Sequence, residues 1–181
     1  MKKITRQKIL EASIDVIKKY GYEKFSVRNI AKQLGCSTQP IYSEFGDKQE
    51  LEKAVYQESQ KHHKKYAEQF AKGLGVMPYM AVGMGFVKFA KQEKQLFRFL
   101  YMQSKWSSKN ESFDYDKIIE KIKIAHTLSS KQAMTLHGDM AIYAYGLAVL
   151  ENLGMTNFSD EKILERFEAE FSALKSNLIK E

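Results

Sequence analysis

Thr38, Gln39, Tyr42 and Ser43 carry three kinds of hydrogen-bonding group within six residues, spaced so that a helix would turn them outward together. Ile41 and Phe45 lie four apart between them and can face inward as a pair. Such a row suits the edges of nucleic-acid bases. Glutamine can pair bidentately with adenine, and hydroxyls both donate and accept. Thr38, Gln39 and Ser43 are therefore candidate base contacts. Thr5, Arg6, Ser26, Arg28, Tyr42 and Lys48 are candidate phosphate contacts, because hydroxyls, cations and helix N-termini make most protein–DNA backbone bonds.

The chain offers little else that could do chemistry. There is no nucleophile elbow, phosphate loop or paired-carboxylate signature, so no catalytic residue is assigned. His62 and His63 are adjacent and point to different helix faces. His126 and His137 stand apart, without a carboxylate or histidine at ligand spacing, so neither a metal nor a cofactor is expected. Cys36 is the only cysteine, which rules out an internal disulfide. It reads as a buried structural residue, with a redox sensor as the lesser alternative.

Two helices must position the polar row. Val27, Ile30, Ala31 and Leu34 are spaced i, i+3, i+4, i+7, which predicts a helix over 26–34 with one apolar face. Gly35 comes next, where a helix commonly ends in a left-handed residue. Ser37 can cap a second helix, and Pro40 falls in its first turn, where a missing N–H costs little. Two short helices, a glycine turn and a polar outer face on the second make a helix-turn-helix.

At these residues the sequence resembles the N-terminal domain of TetR-type transcriptional regulators. The resemblance runs from Ile9-Leu10-Glu11-Ala12 through Gly21-Tyr22, Ser26-Val27-Arg28-Asn29-Ile30-Ala31 and Leu34-Gly35-Cys36-Ser37. It continues over Ile41-Tyr42, Phe45, Lys48 and Leu51, without a gap. It implies that Arg28, Tyr42 and Lys48 touch the DNA backbone. Glu44 departs from the family's usual histidine and Pro40 from a small residue, which blurs the bases read.

Charge agrees with a polyanionic partner. The 181 residues carry a net charge of +7, unevenly spread. Residues 1–50 hold about +4, residues 51–106 about +6, and residues 107–181 about −3. The basic part coincides with the helix-turn-helix and the segment C-terminal to it. A hydrophobic share of 44% indicates a packed protein rather than a disordered one. Lys2-Lys3 is not succeeded by an apolar stretch, and the longest uncharged runs are too short to span a bilayer. A cytoplasmic protein with no membrane partner is expected.

The remaining pattern is helical throughout. A first helix over 3–20 ends at Gly21. Asp47-Lys48-Gln49-Glu50 reads as a capping box that starts a long fourth helix reaching about residue 72. Further helices are expected over 78–92, 93–106, 113–126, from Ser129 or Ser130 to Leu153, and from Ser159 to about Leu178. The fold class is all-α, with about nine helices. A helix-turn-helix domain over 1–48 is joined by the long helix to an effector-binding and dimerisation domain over 49–181.

The second domain is rich in aromatic and thioether side chains. Tyr66, Phe70, Met84, Phe99, Met102, Trp106, Met140 and Tyr143 are candidate effector contacts, for a ligand that is largely apolar, aromatic or cationic. Gly83 and Gly85 lie inside a helix, at roughly 1 kcal/mol each against alanine. That cost points to a close approach by a helix or a ligand, or to a bend. Residues 140–150 are apolar on nearly every face, which calls for a layer on both sides. The resemblance implies that this helix pairs with the last one in a homodimer, through Tyr143, Leu147, Leu150, Phe167, Phe171 and Leu174. The expected function is a DNA-binding regulator, a repressor of a pseudo-palindromic operator on double-stranded DNA, relieved by a small molecule. The alternative is a helical small-molecule-binding or enzymatic protein with a vestigial helix-turn-helix.

Overall fold

The computed structural model describes residues 4–73, 78–103, 105 and 115–180. Among them there are nine α-helices and no strand. In chain order they are α1 (Arg6–Tyr20), α2 (Val27–Leu34), α3 (Gln39–Phe45), α4 (Lys48–Gly73), α5 (Pro78–Gln92), α6 (Lys94–Arg98), α7 (Tyr115–His126), α8 (Ser130–Leu153) and α9 (Asp160–Lys180). A 3-10 turn, Tyr22–Lys24, comes after α1, and a π turn, Phe99–Gln103, after α6. The all-helical class expected from the sequence is the one found.

Local chemistry sets most helix ends. Asp47 Oδ1 accepts from the backbone N–H of Gln49 at 2.7 Å and of Glu50 at 2.9 Å, which starts α4. Ser129 and Gln132 form a full capping box at α8. Gly154 ends that helix in the left-handed region, at φ 74°. The stretch expected as one helix over 93–106 is instead the five-residue α6 and the π turn. Residues 74–77 and 107–112, between the expected helices, Trp106 at the end of one of them, and the start of the helix expected from residue 113 lie outside the described residues.

The chain divides into two compact units. One comprises Met1–Lys64 with Glu93–Asn110, and the other Lys65–Gln92 with Glu111–Glu181. The first unit thus takes in more of the chain than residues 1–48. It is closed by α6 and the π turn as well as by α1 to α3 and α4 as far as Lys64. Lys18 Nζ pairs with Glu93 at 2.7 Å, and the Tyr22 ring stacks on Phe99 with centroids 5.2 Å apart. The core includes Ile9, Ile17, Ile30, Ile41, Leu51, Leu96 and Phe97, all buried. Each fully buried side chain of this size contributes about 1.5–3 kcal/mol by leaving water.

In the second unit α5 packs on α8 and α9, and α7 on α8. Met80, Met84, Phe89, Leu136, Met140, Ile163 and Phe167 are buried there. Asn152 Nδ2 donates to the Ala90 carbonyl at 2.9 Å, and Lys88 pairs with Asp160, so the end of α5 is tied to both α8 and α9. Glu151 is buried beside Lys91, 3.4 Å away, and accepts from the Phe158 N–H at 2.8 Å. Burial pushes its carboxyl up, but these donors outweigh it, and the group lies below its ordinary value.

Candidate nucleic-acid interface

The interface is built on α2, a tight turn and α3. Ser26 precedes α2 in extended backbone, and its Oγ accepts from the Asn29 N–H at 3.2 Å. Gly35 closes the helix at φ 64°, with Cys36 N–H donating back to Ala31 O at 3.0 Å. This is the six-to-one bond of a Schellman end, and only glycine takes that conformation without strain. The turn therefore stops α2 sharply and sends the chain into α3.

The second helix starts one residue later than Ser37 would have placed it. Thr38 occupies the cap position in helical backbone, and its side chain makes no capping bond. Its hydroxyl stays exposed. Ile41 and Phe45 are buried, while Gln39, Tyr42 and Ser43 are exposed. The outward row expected from the sequence is thus present, with a hydrophobic backing on the opposite side. Gly46 ends the helix at φ 72° and donates to Tyr42 O at 2.8 Å.

Around this face, Arg28 and Lys48 are exposed, and the Lys48 ammonium lies 6.0 Å from the centre of the Phe25 ring. Thr5 and Ser26 both serve as N-caps, Thr5 Oγ1 accepting from Lys8 N–H at 3.4 Å. Their hydroxyls stand at helix N-termini, where the free N–H groups favour an anion. Arg6 is differently engaged: Nη1 donates to the Glu44 carbonyl at 3.0 Å, and the guanidinium carbon sits 4.1 Å from the Phe45 ring centre. Nothing in the sequence pattern announced that contact, which spans 38 positions.

Residues 9–55 match the family described as bacterial regulatory proteins, tetR family. The chain carries a TetR-type N-terminal domain. The TetR domain covers α1, α2, α3 and the start of α4. Solved structures share the fold over nearly the whole length. A TetR-like transcriptional regulator from Rhodococcus sp. RHA1 aligns with a TM-score of 0.58 at 20% identity, over 98% of this chain and 97% of that one. A proposed transcriptional regulator of the TetR family from Vibrio parahaemolyticus aligns with a TM-score of 0.62 at 22% identity, over 93% and 97%. A further proposed transcriptional regulator, from Pseudomonas aeruginosa PAO1, gives 0.64 at 14% identity, over 94% and 89%. No curated protein sequence matches the chain. The TetR-regulator fold thus extends beyond the TetR domain to the later helices.

The other expected site residues fall into both units. Tyr66, Phe70, Met84, Met140 and Tyr143 belong to the second unit, with Met84 and Met140 buried and the other three half-buried. Phe99 and Met102 belong to the first, Phe99 buried and Met102 exposed. Trp106 lies outside the described residues. The eight therefore do not gather within one unit. Leu147, Phe167 and Phe171, expected at a dimer contact, are buried inside the second unit's own core. Tyr143 and Leu174 are half-buried and Leu150 is exposed. The apolar side chains that α8 leaves outward include Ile142, Tyr145 and Leu153, on the face away from Leu147.

The imidazoles have structural surroundings. His63 is buried, with Nδ1 2.7 Å from the Tyr101 hydroxyl. Burial, with a smaller contribution from neighbouring His62, pushes its pKa down to about 4. His137 Nδ1 lies 3.1 Å from the Tyr79 hydroxyl, and His126 packs on Phe171. Among the described residues no group of three or more His, Cys, Asp or Glu is arranged to hold a metal ion. Cys36 is half-buried rather than buried, because it sits in the turn itself. Among the described residues no helix is long and apolar enough to cross a membrane.

Proposed function

We propose that this chain is a homodimeric DNA-binding transcriptional regulator, a repressor of a pseudo-palindromic operator that is relieved by a small, largely apolar molecule. One observation carries the reading. The TetR domain exposes Thr38, Gln39, Tyr42 and Ser43 on one helix while Ile41 and Phe45 anchor that helix to the core. A helix held in this way can enter a major groove and present donors and acceptors to base edges. Thr5, Ser26, Arg28, Tyr42 and Lys48 serve in this reading as the phosphate contacts.

Dimerisation rests on the outward side of α8. Ile142 is 73% exposed, and Tyr145 and Leu153 continue the apolar stripe. A second copy would cover it and bring two recognition helices to two half-sites about one helical turn, or a multiple of it, apart. Effector relief rests on the aromatic and thioether side chains of the second unit, Tyr66, Phe70, Met84, Met140 and Tyr143. Relief requires the ligand to bind one arrangement of the recognition helices more tightly than the other.

The test is an electrophoretic shift with the DNA immediately upstream of the chain's own gene. A retarded complex with a two-fold symmetric footprint is the expected result. Absence of any complex with duplexes drawn from a random-sequence pool, even at low salt, would overturn the reading.

A further inference from the structure

The recognition helix α3 has seven residues and lacks a side-chain N-cap. A helix this short has no stability of its own, so its orientation comes from whatever holds it. Ile41 and Phe45 fix one side. Two points leave a rotation open, and of the last-turn carbonyls Tyr42 accepts from the Gly46 N–H and Phe45 from the Asp47 N–H, while Glu44 lies past the helical ladder.

Arg6 supplies what is missing. It is the first residue of α1, directly after the Thr5 cap. Its Nη1 donates to the Glu44 carbonyl at 3.0 Å, in the last turn of α3. Its guanidinium carbon lies 4.1 Å over the ring of Phe45, the side chain that anchors the same turn. A cation that bonds the backbone of Glu44 and lies over the ring of Phe45 holds that turn at two adjacent points. The cation also meets the negative end of the helix.

We infer that Arg6 is a positioning residue of the recognition helix, setting the angle at which α3 presents Gln39 and Ser43, rather than one of the phosphate contacts. This rests on the reading of α3 as the DNA-reading helix. Lysine cannot replace it, because an ammonium has neither the fork nor the plane.

The test compares Arg6→Lys and Arg6→Ala with the unmodified protein. Two duplexes serve as probes: one selected by the unmodified protein from a random-sequence pool, and one with the same bases scrambled. Affinities are measured over a series of salt concentrations. Amide hydrogen exchange is tracked at Gly46, whose N–H bonds Tyr42 O. In Arg6→Lys, affinity for the selected duplex should fall about tenfold while the scrambled duplex is held as before, since base contacts depend on helix angle and phosphate contacts tolerate it. The salt slope should not change. The Gly46 amide should exchange about tenfold faster, while Ile17 in the middle of the core does not.

A phosphate contact would behave differently. Arg6→Lys would then keep both affinities, and Arg6→Ala would weaken both duplexes alike and flatten the salt slope by about one. Either pattern overturns the inference, as does unchanged Gly46 exchange in both variants. Failure of the unmodified protein to select any duplex would instead count against the regulator reading, and the exchange measurement would still decide whether Arg6 holds α3.

Discussion

A β-carbon placed on Gly83 would stand 2.5 Å from Cε1 of Phe167. Real carbon contacts are not that short, so the glycine is there because the α9 ring lies directly on the α5 backbone. Gly85 is similar: its β-carbon would meet the Ala67 backbone at 3.2 Å. The close approach expected at these glycines is an approach by neighbouring helices. There is consequently no room at Gly83 for a larger side chain to fill.

Gly83→Ala should destabilise the protein despite the better helix propensity of alanine. The propensity gain is about 1 kcal/mol, whereas overpacking costs about 1–3 kcal/mol. A net loss of up to about 2 kcal/mol is expected in urea unfolding. Combining it with Phe167→Leu should cost less than the two separate losses added. A more stable Gly83→Ala would show that the ring yields freely.

Stability should depend on pH through His63. Its pKa falls from the ordinary 6.5 to about 4 because burial disfavours the charged ring. The unfolded chain therefore binds more protons between these values. The stabilisation is complete above about pH 6.5 and is lost progressively as pH falls toward 4. On the order of 2–4 kcal/mol is at stake. Thermal melts at about pH 7.5 and about pH 5 should differ by less in His63→Leu than in the parent. Equal differences would place the acid sensitivity elsewhere.

Ile142→Asp should separate subunits without unfolding them, because the side chain is outward in the single chain. Leu147→Asp, on the opposite side of α8, should unfold the second unit, at about 3–5 kcal/mol for a large apolar group lost from a core plus a buried charge. Sedimentation velocity and far-ultraviolet circular dichroism distinguish the outcomes. A folded dimer of Ile142→Asp would remove α8 from the interface.

Lys48→Ala and Arg28→Ala should weaken binding to all duplexes alike and flatten the dependence of affinity on salt. Gln39→Ala should alter the preference at one base pair per half-site, by about 1–3 kcal/mol. Competition titrations against single-base variants of a selected duplex check both. An unchanged salt slope in Lys48→Ala would mean that Lys48 is only solvated.

Much of this was readable from spacing. Ile41 and Phe45 at four residues, Gly35 after Leu34 and Asp47 at the start of the fourth helix are local signals, and local geometry obeys them. Long-range partners were not readable. The Gly83 penalty was visible, but Phe167 lies 84 positions away. On α8, Ile142 and Leu147 are alike in type, so composition could not say which one the chain's own core would take. The bond from Arg6 to Glu44 was not readable either, because it uses a backbone carbonyl, which sequence does not mark. The helix expected over 93–106 runs as α6 and then as the π turn, and the change at Phe99 has no mark in the sequence, since Leu96, Phe97, Phe99 and Leu100 would share one face of an uninterrupted α-helix too.

The first unit recruits Glu93–Asn110 after the chain has passed through Lys65–Gln92. On the ribosome the N-terminal residues would therefore emerge long before the strip that closes over them. Tyr22 waits for Phe99, and Lys18 waits for Glu93. The residues that would recognise DNA come first in synthesis but reach their final packing only after more than half of the chain has been made. A nascent or truncated product ending near residue 64 would leave apolar surface of this unit uncovered, an inviting target for chaperones and proteases.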